Sequence, residues 1–294
     1  MGELLKGPVK GKEQHMVKRN RVQFTAIVMF LLIFVALIMV FPFAWMVLGS
    51  VKSKSELFAM PIKWFPEVPV WKNYVQVVTK VPFFQFYWNT AKVAVISTAG
   101  QVLTCALSAY AFSKLRFKGR DTLFILYLAT MMIPGQVTMI PQYELLNKIG
   151  LMNTLWTLIL LRWFSPFGVF LLRQFFVSIP DSLVEAARID GASEVRIFAR
   201  IILPLSKSAV ATLVTLTFLN SWNEFMGPLI YLNDQKKYTL QIGIRYFQQM
   251  WGTEYTLIMA ATTMSLIPIV VIYIFAQKYF IEGIAAAGVK GGVL

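Results

Sequence analysis

Long uncharged runs, separated by short polar stretches, dominate the chain. The first is FTAIVMFLLIFVALIMVFPFAWMVLG, residues 24–49. At about 1.5 Å per residue it exceeds the ~30 Å hydrocarbon core of a bilayer, so it can span with some tilt. A cleaved signal peptide would have an apolar core of about 7–15 residues followed by a small-residue cleavage site. This run is longer and leads into Ser50, Lys52 and Lys54, which predicts an uncleaved anchor. Further spans are predicted at 93–113, 122–143, 154–172, 206–232 and 256–277. In lipid every backbone amide needs an internal partner, so all six are read as helices. Pro134, Pro166 and Pro268 fall inside three of them and are expected to kink them.

Six spans put both termini on one side of the membrane. With the N-terminus inside, the segments 1–23, 114–121, 173–207 and 278–294 carry 17 Lys and Arg against 10 outside. Positive residues near span ends favour the cytoplasm, so this count and the VKRNR and KLRFKGR flanks predict cytoplasmic termini. The basic residues of 50–92 oppose that orientation, but they are spread over about 40 residues and count for less. The segment 61–89 is rich in aromatics and proline. It reads as an interfacial belt, with a sugar-stacking surface as the alternative.

Composition agrees with the pattern. Of 294 residues 57% are hydrophobic and 14% charged, against about 25% charged in a globular domain. The net charge of +14 follows from the cytoplasmic flanks and comes with no nucleic-acid-binding motif. A single cysteine, Cys105, excludes an internal disulfide and reads as a small packed hydrophobe. With one histidine, His15 in the N-terminal tail, the chain has neither a conventional zinc site nor a Cys–His nucleophile pair. It also lacks a G-x-x-x-x-G-K-[ST] loop, so it has no phosphate cradle of its own. These absences argue against an enzyme.

Two groups of polar residues interrupt the oily pattern. The first lies in the spans. Arg162 is about eight residues from the start of the fourth span at Thr154, and Glu224 about eight from the end of the fifth at Leu232. Both sit at similar depth, about 12 Å in. Intramembrane charges are costly and mark function by default. The expectation is an ion pair or a shared polar cavity, with a purely structural pair as the alternative. Asn220, Trp222 and Asn223 suit sugar hydroxyls and a stacked ring face; hydrogen bonding between helices explains the asparagines equally well.

The second group is EAARIDGASEVRIFARIILP, residues 185–204. Ser182 and Glu185 fit a capping box for a short helix. Gly191 suits its left-handed C-terminal turn, and Ser193 can cap a second helix through Ile201. Val195, Phe198 and Ile202 would share its apolar face, and Pro204 would end it. A small-tipped helix exposed in this way suits a groove on a partner, and a solvated interfacial loop is the plain alternative.

The spacing Glu185-Ala186-Ala187, Gly191, Ile201 and Leu203-Pro204 resembles the EAA loop of ABC importer permeases. WKNYVQVVTKVPFFQFYWNT and QKYFIEGIAAAGVKGG are similar to segments of the carbohydrate-uptake group, and of the smaller maltose-type permease in particular. The resemblance covers about residues 20–294. It implies an all-α polytopic membrane protein with six transmembrane helices and the type I ABC importer permease architecture. The layout would be a cytoplasmic tail (1–23), a first span (24–49), an extracytoplasmic segment (50–88), a transmembrane core (89–281) with its coupling loop at 181–204, and a cytoplasmic tail (282–294).

It implies a heterodimer with a homologous second permease in a bacterial or archaeal plasma membrane. The other partners would be two ATP-binding subunits, which hold the ATP and Mg that this chain does not, and an extracytoplasmic binding protein delivering a carbohydrate. By the same resemblance Glu185, Ala186, Ala187, Asp190, Gly191, Ile201, Leu203 and Pro204 couple to the ATPase. The loop 233–255 touches the binding protein, and the tail around Gly288 to Gly292 reaches toward the ATPases. Glycerol phosphate or another polar solute is the alternative cargo. A secondary carrier would need no helix–glycine–helix loop.

Overall fold

The structure, a computed structural model, describes the backbone of residues 9–249 and 252–290 and the side chains of 24–248 and 252–278. Helix α1 (Val9–Ser50) is continuous, so the boundary expected at residue 24 is no structural break. Its apolar side chains from Phe24 to Phe43 are largely exposed, as a lipid-facing span requires. The segment that follows folds back under α1. Helix α2 (Lys54–Leu57) is closed by a capping box between Ser53 and Glu56, and α3 is Lys72–Lys80. The Asn73 amide donates to the Ser50 and Lys52 carbonyls at 2.8 and 2.9 Å. Buried Lys52 donates to the Lys63 carbonyl and lies 4.5 Å over the Trp45 ring. Trp64 meets Phe41 and Trp45 edge-on, so part of the aromatic belt is used in packing.

The second span is longer than the pattern predicted: α4 runs from Phe83 to Lys114, 32 residues. The next three spans are each broken, where continuous helices were expected. Helix α5 (Arg120–Ala129) and a 3-10 turn (Thr130–Met132) meet α6 (Gly135–Lys148) at 97°. Helix α7 (Leu155–Leu160) stops five residues before α8 (Pro166–Val177). Beyond a 77° bend lies α9 (Asp181–Ile189). The chain then forms α10 (Glu194–Ile197), a π turn (Phe198–Ile202) and α11 (Leu203–Leu205). An 82° bend leads to α12 (Lys207–Trp222), which is separated from α13 (Met226–Tyr231) by residues 223–225. A 3-10 turn (Gln235–Lys237) and α14 (Leu240–Arg245) follow. The two-residue strands β1 (Gln248–Gln249) and β2 (Gly252–Thr253) pair antiparallel, and α15 (Tyr255–Lys290) closes the chain. Among the described residues three helices are long and apolar enough to cross a membrane, or six if each bent pair counts as one span.

The prolines explain two of the breaks. Pro134 (ψ 132°) sits before α6 and Pro166 is the first residue of α8. Each begins a new helix where its missing N–H costs nothing, so neither merely kinks a continuous one. Of these three prolines, Pro268 alone lies inside a continuous helix, α15.

The core is built on α4, which packs against α8 and α12; α12 packs on α15 and α15 on α1. Cys105, Leu172, Phe176, Ile202 and Leu213 are all buried in one cluster. The helices approach through small residues, as membrane interfaces favour. A β-carbon at Gly168 would stand 2.7 Å from the Cys105 sulfur and 3.1 Å from the Leu213 side chain. Gly168→Val is therefore expected to cost about 1–3 kcal/mol, read as a lowered melting temperature in detergent. An unchanged melting temperature would refute the close packing.

Candidate functional site

The three breaks converge. Gly135 and Gln136 at the first, Arg162 in the second and Glu224 in the third line one cavity of about 440 Å³, together with Thr138, Gln142 and Tyr231. Non-helical backbone at membrane depth is tolerated where it is buried in protein or lines a wet cavity. Arg162 Nη2 and Glu224 Oε2 form an ion pair, so the two charges share both a bond and a cavity. The other Glu224 oxygen accepts from the Gly227 amide in the first turn of α13 at 3.0 Å. The Tyr231 hydroxyl donates to Gln142 Oε1 at 3.1 Å, and Gln142 Nε2 donates to Thr138 Oγ1 at 3.1 Å. The polar part of the wall is thus one balanced charge pair among amides and hydroxyls, and Met139, Leu158, Leu161 and Met226 supply the apolar part.

Three other expected pathway residues do not line this cavity. Trp222 is 1% exposed; its indole donates to the Ser265 carbonyl at 3.1 Å, and its ring stacks on Phe218. It is a core residue with no face free for a sugar, which corrects the expectation. The Asn223 amide donates to the Leu219 carbonyl at 3.0 Å and accepts from Gln241 at 3.4 Å. Asn220 is exposed on α12, away from the cavity wall. Gln136, Thr138, Gln142 and Tyr231 were missed, since nothing in the linear pattern separates them from other polar residues near span ends.

The charged stretch forms a helix–turn–helix beside the Lys114 end of α4. Gly191 has φ +75°, the left-handed turn its position predicted. Ser193 caps α10, accepting from the Arg196 amide at 3.4 Å. The capping box at Ser182 does not form. Pro180 (φ −57°, ψ 132°) takes the cap position and starts the helix two residues early, which leaves Ser182 inside the first turn. Nor does Pro204 end the second helix at Ile201. The π turn before it accommodates the missing proline amide, and helix continues to Leu205. The buried face is Ile197, Phe198 and Ile202, while Val195 is 76% exposed.

Of the loop residues, Ala187, Ile201 and Leu203 pack on the core. Glu185, Ala186, Asp190 and Pro204 are exposed. Ile189 is 87% exposed, and Leu183 stands out with it. The Glu185 side chain makes no hydrogen bond among the described residues, and its surroundings include Arg116, Arg120 and Arg188.

The model of the family described as "binding-protein-dependent transport system inner membrane component" matches residues 101–285. The chain belongs to this family. Among its relatives, the arabinooligosaccharides transport system permease protein AraQ of Halalkalibacterium halodurans is 34% identical over 88% of this chain and 94% of that one. The sn-glycerol-3-phosphate transport system permease protein UgpE of Yersinia pestis is 33% identical over 86% and 93%. Among solved structures, a bacterial ABC transporter involved in import of the acidic polysaccharide alginate matches with TM-score 0.79 at 26% identity, over 89% of this chain and 98% of that chain. The fold is therefore that of an ABC importer permease, membrane-embedded and all-α.

In this permease the charged loop is tied to α4 by side chains. Lys114 Nζ donates to the Ile179 carbonyl at 2.7 Å and to Asp181 at 2.6 Å. The Tyr110 hydroxyl donates to Glu194, which also accepts from Arg188 Nε at 2.7 Å. The Lys114 ammonium holds the Asp181 carboxyl below the usual range; Arg188, then Tyr110, do the same for Glu194. Lowered carboxyl pKa values contribute stability above the ordinary carboxyl range, lost only as pH falls through the lowered values. Both ties are therefore in place at neutral pH. The tail around Gly288 to Gly292 lies partly outside the described residues, and its side chains wholly so.

Proposed function

We propose that this chain is one of two homologous permease subunits of an importer that moves a neutral sugar or oligosaccharide received from an extracytoplasmic binding protein. The cavity at the span breaks carries the reading. Its one cation, Arg162, is already balanced by Glu224, and the remaining polar wall is Gln136, Thr138, Gln142 and Tyr231. Amides and hydroxyls match sugar hydroxyls, whereas a phosphate or uronate would call for an unbalanced cation. The arabinooligosaccharide relative supports a sugar, and the balanced charge favours it over the cargo of the glycerol-phosphate relative.

Energy comes from two partner ATPases that bind ATP and Mg, because the chain lacks a phosphate loop. They dock on the exposed face of 181–204, where Leu183, Ile189 and Val195 offer apolar contact and Glu185 is free to pair. ATP-driven closure draws the two coupling loops together, and the spans pass from inward- to outward-facing. Each ligand contributes only by its different affinity for the two states. The basic flanks support cytoplasmic termini in a bacterial or archaeal plasma membrane.

The test is reconstitution of the permease pair with its ATPases and binding protein in proteoliposomes. Neutral oligosaccharides are expected to drive uptake and raise ATP hydrolysis, and glycerol 3-phosphate is expected to do neither. Uptake of glycerol 3-phosphate alone, or uptake without the ATPases, overturns the reading.

A further inference from the structure

Helix α4 carries hydrogen-bonded attachments at both ends, each to a segment distant in sequence. At its start, Gln85 Nε2 donates to the Lys236 carbonyl at 2.7 Å, and Asn89 Nδ2 to the Lys236 and Tyr238 carbonyls at 2.9 and 3.1 Å. The Thr90 hydroxyl accepts from the Leu240 amide at 2.8 Å and itself donates to the Phe86 carbonyl. Asn89 and Thr90 are buried. All of these bonds except the one to Phe86, which stays within α4, reach into the loop 233–255. At its far end, Tyr110 and Lys114 hold the loop 181–204 through Glu194, Asp181 and the Ile179 carbonyl.

From Thr90 to Tyr110 the helix advances by 20 residues without proline, about 30 Å of uninterrupted helix. The attachments are of a particular kind. Apolar packing alone lets two elements slide, whereas bonds to main-chain carbonyls and amides fix the path of the loop they hold. All four bonds between α4 and this loop meet main-chain atoms of 236–240. At the inner end a lysine that is 7% exposed is committed to one carbonyl and one carboxylate, beside a tyrosine committed to a second carboxylate.

We infer that α4 is a connecting rod that transmits docking of the binding protein at 233–255 to the ATPases at 181–204, with Gln85, Asn89 and Thr90 as positioning residues at one end and Tyr110 and Lys114 at the other. The inference rests on the two docking assignments of the proposed function. Displacing either loop shifts α4 along or about its axis, and the other loop follows because it is bonded to the same helix. Coupling of this sort is reciprocal: ATP bound at one end changes affinity for the binding protein at the other by the same factor.

The test uses the complete importer in proteoliposomes and compares basal ATP hydrolysis with hydrolysis stimulated by sugar-loaded binding protein. Thr90→Val exchanges the bonding hydroxyl for a methyl group of similar size, and Tyr110→Phe deletes the phenol oxygen. Each is expected to leave complex recovery and basal hydrolysis at the wild-type level and to lower the stimulation about fivefold or more. Thr90→Ser, which retains the oxygen, is expected to keep the stimulation. Because the two ends act in series, the double variant should lose no more than the weaker-coupled single.

Gln85→Ala, at an exposed position, carries the outer-end test should Thr90→Val fail to assemble. Full stimulation in both single variants overturns the rod. So does loss in Thr90→Ser equal to that in Thr90→Val, or multiplication of the losses in the double variant. A wild-type importer that the binding protein does not stimulate overturns the docking assignments themselves.

Discussion

Reversing either charge alone, Arg162→Glu or Glu224→Arg, is expected to remove most of the assembled permease from the membrane, and the combined exchange is expected to recover a large part of it. Each single reversal places two like charges together at membrane depth, where their partners in the wild type are an Nη2 and an Oε2 in direct contact. An uncompensated charge at the centre of a span costs about 2.5–3.5 kcal/mol on insertion scales. Breaking a buried pair costs about 3–5 kcal/mol, against a typical fold stability of about 5–15 kcal/mol. Neither side chain is fully buried, at 22% and 29% exposure, so the lower figures apply.

Recovery in the double exchange should be incomplete for a specific reason. Glu224 also accepts from the Gly227 amide at the start of α13, and arginine cannot accept that bond; a lost hydrogen bond costs about 1 kcal/mol. Quantitative blotting of membranes and uptake of a neutral oligosaccharide check this. A double variant no better than either single would show that the pair does not stabilise the permease.

Gly191→Val is expected to reduce ATP-coupled uptake at least about tenfold while leaving the amount of permease nearly unchanged. Gly191 turns the chain between α9 and α10 at φ +75°, and a β-carbon there would meet nothing within 4 Å. The cost is therefore conformational, about 1–2 kcal/mol for an L-residue forced into the left-handed region, and it falls on the loop alone. The loop would relax to a different turn and carry Ile189 and Glu185 away from the surface offered to the partner. Gly191→Asn, which tolerates the left-handed region, should lose less than valine. Combining Gly191→Val with Glu185→Ala removes both the turn and the free carboxylate. If that double variant still imports at the wild-type rate, the docking role of the stretch is wrong.

The successes and misses of the sequence reading have separate physical causes. Gly191 and Ser193 were legible because their roles are local: a left-handed φ and a cap four residues long depend on neighbours in the chain. The box at Ser182 was equally plausible on spacing and did not form, because Pro180 starts the helix before the serine can act as its cap. The matching pattern at Ser53 and Glu56 did form, so the spacing admits a box, and the preceding backbone decides it. Trp222 looked like a pathway residue because tryptophan suits a sugar ring. Its burial against Phe218 and Tyr87 depends on helices that the local pattern does not place.

By itself the sequence determined that this is an all-helical membrane protein with six apolar segments, two charges within the fourth and fifth of them, and a charged stretch that turns at a glycine between two short helices. Each of those follows from run length, charge cost and local backbone preference, all properties of neighbouring residues. Only the tertiary structure decided that three spans break, that the breaks meet in one cavity, and that α4 is bonded to the loop 233–255 at one end and to the loop 181–204 at the other. Those facts join residues as far apart as Thr90 and Leu240, or Tyr110 and Glu194. They rest on directional contacts between helices, and hydrophobic periodicity carries no record of which helices meet.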